Sequence, residues 1–153
     1  ITKLNVSKGN YTPGRSLNMG VKGCVGDYII IMSAHCELVK FDFNLLKEQL
    51  DKKTVGAVWG KQIPIWDGKK VSRRYMWSNF KDEDQNRYFF HNAFSMFKRE
   101  HLVQYPFDEH YSGKEDRYWA NNQIDAGYNI FYDSQQEVKH HYTPGGATWM
   151  GTG

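Results

Sequence analysis

The sequence predicts an α/β fold in which helices flank an open mixed sheet, and two observations carry this prediction. The apolar run YIIIM at residues 28–32 is continuous and rich in β-branched side chains, as in a strand that is covered on both faces of its sheet. Apolar residues at positions 41, 45, 46 and 50 then recur with a helical period. Alternation of such strands and helices is typical of sheets that bind ligands at the carboxyl ends of their strands.

The helix before the buried strand has a recognisable start. Thr12 is a suitable N-cap, because Pro13 follows it at the first helical position. Leu17 and Val21 continue with helical spacing, and Gly26 is the expected end of this helix.

The remaining elements follow from short apolar runs that end at polar residues, glycine or proline. A polar excursion at residues 67–86 separates the two halves of the chain. In chain order we predict an edge strand at 1–5, a loop at 33–37, a helix at 41–50, a strand at 54–59 that 62–65 continues beyond a glycine, a strand at 94–97, a helical turn at 99–103, a helix at 115–126 that ends at Gly127, and strands at 128–132 and 137–141.

Length, charge and cysteine content narrow the functional classes. A chain of 153 residues suffices for one domain with its own core. Lys and Arg number 20 against 17 Asp and Glu, which argues against a nucleic-acid interface, since that needs a clustered basic stripe. Cys24 and Cys36 are too few for a disulfide framework or a zinc ribbon, and a reducing, cytoplasmic setting is expected.

Two adjacent carboxylates, Glu115 and Asp116, begin the predicted helix near the end of the chain. Acidic residues in a first turn stabilise a helix through its dipole by about 0.3–1 kcal/mol without any chemistry. The alternative is acid–base catalysis, for which a carboxylate at the end of an element is accessible to substrate. Glu109 could then be the second carboxylate of a hydrolase. Two histidines, His35 after the buried strand and His140 at the end of the last one, are either ordinary hydrogen-bonded residues or ligands.

Six short stretches, taken in order, resemble the inverting glycosyltransferases of family 2, which have the Rossmann-like GT-A fold and use nucleotide-sugar donors. A loop, SAHC at residues 33–36, is together with Gln62 and Pro64 most similar to the rhamnosyltransferase-like branch that builds bacterial surface polysaccharides. The six stretches are GRSLNMG at 14–20, GDYIIIM at 26–32, GKQIP at 60–64, PFDE at 106–109, ED with WA at 115–120, and VKH at 138–140.

The resemblance implies transfer of a sugar, with inversion, from a nucleotide-diphosphate donor to a hydroxyl of a glycan or lipid-linked acceptor. Asp116 would be the base, and Glu115 would orient the acceptor or the base. A divalent cation, Mn²⁺ or Mg²⁺, would be held at His35 and His140. The implied donor or substrate contacts are Gly14, Arg15, Asn18, Ser33, His35, Gln62, Lys114 and Trp119.

Several of these residues have a structural alternative. Gly14 and Asn18 also suit a helix cap and close packing, and Trp119 suits the core, because it follows Asp116 by about one turn on a helix that must bury one face. Arg15, Lys114 and Lys139 are the cations near enough in the pattern to neutralise a departing diphosphate.

Two departures from the family pattern qualify the resemblance. Ser33 and His35 stand where the family usually carries an aspartate pair that binds the metal. The family's opening strands, which hold the base and the ribose, are absent from residues 1–153, so we expect a single incomplete domain that is inactive alone. The full-length protein is expected in the bacterial cytoplasm or at the inner face of the membrane. A noncatalytic carbohydrate-binding or scaffold domain of the same fold is the alternative function.

Overall fold

The computed structural model describes residues 7–66, 69–70 and 89–141, together with Asn5. Residues 1–4 of the predicted edge strand and most of the excursion at 67–86 lie outside the described residues. Within the described part of the chain, no helix combines the length and the apolar character that crossing a membrane requires.

The described residues form four α-helices, six strands and one short 3-10 helix. In chain order these are the 3-10 helix Lys8–Asn10, α1 (Pro13–Gly23), β1 (Tyr28–Met32), β2 (Cys36–Lys40), α2 (Phe43–Leu50), β3 (Val55–Trp66), β4 (Lys69–Lys70), β5 (Phe94–Lys98), α3 (Arg99–Gln104), α4 (Glu115–Asp125) and β6 (Asn129–His141).

The strands form one mixed sheet in the order β1-β5-β3-β6-β2, with β4 paired to β3 outside this path. The central strands β3 and β6 run parallel, whereas the other pairs are antiparallel. Helices flank this sheet, so the predicted fold class is confirmed. The parallel pair of β3 and β6 is its longest pairing and forms the centre of the domain.

The prediction that β1 is a central strand covered on both faces is wrong. Among the described strands β1 pairs with β5 alone and forms one edge of the sheet. Ile30 is 42% exposed and Met32 is 43% exposed. A continuous apolar run does not reveal the order of strands in a sheet, because that order depends on partners far away in sequence.

Strand β3 continues beyond Gly60, as predicted, whereas β6 is continuous where the sequence predicted two shorter strands. Their register shifts between Gly60, which pairs with Asp133, and Lys61, which pairs with Glu137. The extra residues form a bulge in which Gln136 Nε2 donates to Asp133 Oδ2 at 2.9 Å. A side chain at Gly60 would bring its Cβ to 2.8 Å from the Gln136 carbonyl oxygen, so a glycine is needed there for close packing.

Strand β2 was not predicted, because the whole of 33–37 was interpreted as a loop. Its residues are mostly exposed and show no alternation of burial, so periodicity could not identify it. The strand forms because it pairs with the end of β6, Cys36 opposite His140 and Leu38 opposite Val138.

The helix starts follow local capping. Thr12 Oγ1 accepts a hydrogen bond from the Arg15 backbone N–H at 3.2 Å, which confirms the predicted N-cap of α1. Asp42 Oδ1 accepts from the Leu45 N–H at 3.1 Å. Helix α2 therefore begins at Phe43 rather than at residue 41.

The core has two parts, one on each face of the sheet, because successive side chains of a strand point to opposite faces. One part lies under α1, α3 and α4 and the other under α2. The first contains Val21, Ile29, Ala57, Trp59, Phe90, Phe97, Leu102, Phe107, Trp119, Ala120, Ile130 and Tyr132. The second contains Leu46, Leu50, Val55, Val58, Phe94, Met96 and Val138.

Candidate active site

Helix α4 carries the two candidate carboxylates in its first turn. Asp116 Oδ1 accepts a hydrogen bond from the Arg117 backbone N–H at 2.8 Å, and Oδ2 accepts one from the Asn92 N–H at 3.1 Å. The second bond joins α4 to the segment before β5. Burial raises the pKa of Asp116, while the two N–H groups and the Arg117 charge oppose this rise.

Glu115 is the carboxylate that lines an open pocket of about 180 Å³. The pocket lies between the start of α1, the end of β1 and the segment before β5; its lining includes Pro13, Leu17, Met32, Ser33 and Asn92. Burial, and then the Asp116 charge, raises the pKa of Glu115 to about 7. Asp116 is not among the described residues that line the pocket, so the pocket meets the carboxylate pair through Glu115.

Asn92 joins the predicted residues together and was missed by the sequence analysis. Its carbonyl oxygen accepts from Ser33 Oγ at 3.3 Å, and its Oδ1 accepts from Ser95 Oγ at 2.9 Å. Its buried amide Nδ2 makes no hydrogen bond within the described part of the chain. A buried donor without an acceptor costs about 1–3 kcal/mol, which makes Nδ2 a candidate donor to a substrate oxygen. The only signal in the sequence was a polar residue just before a predicted strand.

His35, immediately before β2, and His140, near the end of β6, lie together, as the resemblance implied. Their rings stack with centroids 4.6 Å apart and an interplanar angle of 27°. His140 Nδ1 lies 2.5 Å from Gln62 Oε1, so Gln62 orients the His140 ring. Burial, followed by the charges of His35 and His141, lowers the pKa of His140 to about 3. Burial also lowers the pKa of His35, and both imidazoles are therefore neutral at pH 7.

His91 connects the histidine pair to the carboxylate pair. It precedes Asn92 in the chain, and both its ring nitrogens are buried without a hydrogen bond among the described residues. Burial, and then the charges of His140 and Arg117, lowers the pKa of His91. His91 is therefore within electrostatic range of His140 in the histidine pair. Its neighbour Asn92 donates its backbone N–H to Asp116 of the carboxylate pair.

The histidine pair can hold a cation only with help from a ligand. Within the described residues, no three His, Cys, Asp or Glu side chains gather in an arrangement that could bind a metal ion. Imidazole suits Mn²⁺ better than Mg²⁺, which prefers oxygen. His35 and His140 are the residues that would hold such a cation, and a bound diphosphate would have to supply its further oxygen ligands.

Three predicted donor contacts on α1 are instead occupied in packing. The Asn18 amide donates to the Phe107 carbonyl oxygen at 2.8 Å and accepts from the Phe107 N–H at 3.0 Å. Arg15 Nε donates to Glu109 Oε2 at 3.2 Å. At Gly14 a Cβ would collide with the carbonyl oxygen of Asp108. The structure therefore favours the packing alternative for Gly14, Arg15 and Asn18.

The same contacts argue against Glu109 as the second catalytic carboxylate of a hydrolase. Glu109 accepts hydrogen bonds from Asn18 at 3.0 Å and from Arg15, and these partners lower its pKa. A carboxylate held ionised in this way is a poor proton donor for glycoside hydrolysis.

Two further predicted donor contacts, Trp119 and Lys114, lie in different surroundings. Trp119 is buried in the core, and its indole N–H donates to the Tyr105 carbonyl oxygen at 2.7 Å. This position favours packing over contact with a sugar. Lys114 is half-buried at the start of α4 with a φ of 62°, a left-handed conformation that is uncommon for a side chain other than glycine.

The mixed sheet flanked by helices has the architecture of the GT-A fold. The chain belongs to glycosyltransferase family 2, because the family model described as "Glycosyl transferase family 2" matches residues 3–111. That match ends before α4, so it does not include the carboxylate pair. A comparison with curated proteins gives no match.

Solved structures similar to this chain include proteins in complex with UDP or UDP-GlcNAc. The structure of GalNAc-T7 with UDP, GalNAc and Mn²⁺ superposes with a TM-score of 0.63 at 13% identity, covering 86% of this chain and 30% of that one. S. aureus TarS 1-349 in complex with UDP has a TM-score of 0.62 at 13% identity, covering 87% of this chain and 41% of that one. The same TarS fragment in complex with UDP-GlcNAc has a TM-score of 0.61 at 14% identity, covering 88% of this chain and 40% of that one. At such identities the similarity shows the fold alone, and the chain spans less than half the length of these structures.

Proposed function

We propose that the full-length protein is an inverting glycosyltransferase that moves a sugar from a nucleoside-diphosphate donor to a hydroxyl of a carbohydrate or lipid-linked acceptor. The observation that carries this proposal is the pair of Glu115 and Asp116 beside the pocket, joined through Asn92 to Ser33. Family membership and similar folds solved with UDP and UDP-GlcNAc support it.

Asp116 is the proposed base. Its two backbone N–H partners use about half of the lone-pair positions of a carboxylate, so it retains capacity for a proton. It accepts the proton of the acceptor hydroxyl while that oxygen bonds to the anomeric carbon and the bond to the donor diphosphate breaks on the opposite face. One base without a protein nucleophile suits such a single displacement.

Glu115 is the proposed orienting group. With a pKa of about 7 it is partly protonated at neutral pH. The protonated Glu115 can donate a hydrogen bond to an oxygen of the acceptor within the pocket.

The departing diphosphate needs positive charge. Arg15 pairs with Glu109, and Lys139 pairs with Glu37 at 3.2 Å. We therefore assign this role to Lys114 and to Arg117, whose charge acts on Asp116, Glu115 and His91. A bound Mn²⁺ or Mg²⁺ at His35 and His140 would supply further neutralisation.

The SAHC loop at residues 33–36 and Gln62 support a finer proposal, that the protein is rhamnosyltransferase-like and acts in bacterial surface polysaccharide synthesis. The orientation of His140 by Gln62 is consistent with a shared role of these residues. The corresponding location is the cytoplasm or the inner face of the membrane.

The test is Asp116→Asn in the full-length protein. We expect transfer to fall by about 10²–10⁴, the usual contribution of general base catalysis, while the affinity for the nucleotide sugar, measured by calorimetry, is retained. Glu48→Gln changes an exposed carboxylate of α2 and is the matched control. Transfer that survives Asp116→Asn but is lost in Glu115→Gln would move the base to Glu115.

A noncatalytic carbohydrate-binding or scaffold domain is the rival. Such a domain would show no turnover with any nucleotide sugar, and Asp116→Asn would leave its binding unchanged. The engaged oxygens of Asp116, which both accept backbone N–H groups, are the observation that favours this rival.

A further inference from the structure

Two tyrosines form a stacked pair near the start of α4. The rings of Tyr111 and Tyr118 lie with their centroids 4.4 Å apart and an interplanar angle of 19°. Tyr111 belongs to the loop before α4 and is 36% exposed, while Tyr118 is a half-buried residue of α4. The pair lies outside both core clusters of the described residues. Core packing therefore does not account for the stacking of the two rings.

The loop that carries Tyr111 is fixed beside the pocket. Asn18 holds Phe107 by two hydrogen bonds, and Arg15 holds Glu109. These bonds attach the loop to the first turns of α1, which also line the pocket. Tyr111 follows Glu109 by two residues and belongs to this attached loop.

The helix places Tyr118 beside Glu115. Residues three apart on a helix have their Cβ atoms about 5–6 Å from each other. Trp119 and Ala120 face the core, whereas Tyr118 lies on the more open side, which continues to the exposed Asn122. The stacked pair thus lies along α4 beside Glu115.

The chemistry of the pair suits a sugar ring. A pyranose has apolar C–H faces and a rim of hydroxyls, and an aromatic ring offers a flat face together with, in tyrosine, a hydroxyl. Neither tyrosine hydroxyl makes a hydrogen bond to protein within the described residues. Stacking on Tyr118 already restricts Tyr111, so little side-chain entropy remains to be lost on binding.

We propose that Tyr111 and Tyr118 form the platform for the pyranose ring of the acceptor, with the reacting hydroxyl turned towards Glu115 and Asp116. This inference rests on the proposed function. The acceptor is favoured over the nucleobase of the donor because the pair adjoins the carboxylates that must receive the acceptor proton. The proposed diphosphate contacts His35 and His140 are at the ends of β2 and β6 instead.

The experiment measures binding of methyl pyranosides to the full-length protein without donor. The probes are methyl glucoside, methyl rhamnoside and methyl N-acetylglucosaminide, observed by saturation-transfer NMR. We expect Tyr111→Ala to weaken the bound glycoside about two- to tenfold, because the flat apolar face of one ring is lost. Tyr111→Phe keeps the ring and should bind within about twofold of the wild type. Because Tyr111 is exposed, the melting temperature of each variant should remain near that of the wild type.

A second measurement separates acceptor from donor. The dissociation constant for UDP should be equal in wild type and Tyr111→Ala. Weaker UDP binding in Tyr111→Ala would overturn the platform in favour of a nucleobase site, and so would unchanged glycoside binding or its absence in the wild type. If the wild type binds glycosides through Tyr111 but transfers no sugar from any donor, the platform stands and the proposed transferase activity fails.

Discussion

Glu115 and Asp116 are neighbours in sequence but have different surroundings. Successive helical residues point about 100° apart, so one carboxylate lines the pocket while the other accepts the Asn92 N–H. Burial raises the pKa of both, but two backbone N–H groups counteract this for Asp116. The two adjacent carboxylates therefore have different environments although their chemical type is the same.

The raised pKa of Glu115 predicts how stability depends on pH. The value rises from 4.5 to about 7 on folding, so between these pH values the folded state binds more protons than the unfolded state. The contribution of Glu115 is fully present below about pH 4.5 and is lost as the pH rises to about 7. We expect Glu115→Gln, which cannot ionise, to melt with the wild type at about pH 4 and above it at about pH 8.

The measurement is the melting temperature of both proteins across this pH range, with Glu48→Gln as the exposed control. Asp116 and Arg117 are the charged groups whose fields act on Glu115, and both remain in the variant. A difference in melting temperature that stays constant from pH 4 to pH 8 would show that Glu115 is not a buried acid.

At the level of elements, α1 is attached to the loop at residues 107–109. Asn18 uses its carbonyl and amide groups on the backbone of Phe107, and Gly14 allows the Asp108 carbonyl to approach the helix. The sequence stretches that resemble the family, GRSLNMG and PFDE, are thus in contact with each other. Their pattern indicated a shared place in the fold, but spacing could not distinguish a packing contact from a donor contact.

This attachment predicts unequal effects of two substitutions on the same helix. Asn18→Ala leaves the buried N–H and C=O of Phe107 without partners, at about 1–3 kcal/mol for each group, so we expect a loss of about 2–6 kcal/mol in the free energy of unfolding. Arg15→Ala removes an exposed ion pair and should cost about 0–1 kcal/mol. Urea denaturation of both variants measures the difference. Equal losses would mean that the two contacts contribute alike.

Local signals in the sequence identified the ends of helices better than they identified which strands pair. Thr12, Pro13 and Gly127 marked helix ends, and Gly127 has the positive φ of 88° that a C-terminal glycine adopts. Strand β2 and the continuity of β6 could not be predicted in this way, because β2 exists through its pairing and the bulge at Gln136 depends on Gly60 of another strand. For the site, the structure places the rings of His35 and His140 side by side, while Asn92 was visible only after the chain folded.

On the scale of the whole molecule, the parallel pair of β3 and β6 lies between two core clusters. Residues 55–60 of β3 are all buried, whereas β2 is mostly exposed at one edge of the sheet. Local opening costs least where few apolar contacts are broken. The site draws on both regions, since Gln62 and His140 belong to the centre and His35 to the turn before β2.

Hydrogen exchange should therefore be much slower in the central strands of the sheet than in β2. We expect the amides of residues 55–59 and 130–132 to exchange slowest, through global unfolding, and those of β2 to exchange much faster through local opening. Leu46→Ala distinguishes the two routes, because Leu46 is fully buried under α2 and its truncation costs about 2–5 kcal/mol. The variant should accelerate the slowest amides and leave those of β2 unchanged. If Leu46→Ala accelerated all amides equally, β2 and the central strands would open as one cooperative unit, and the His35 turn would be as rigid as the centre of the sheet.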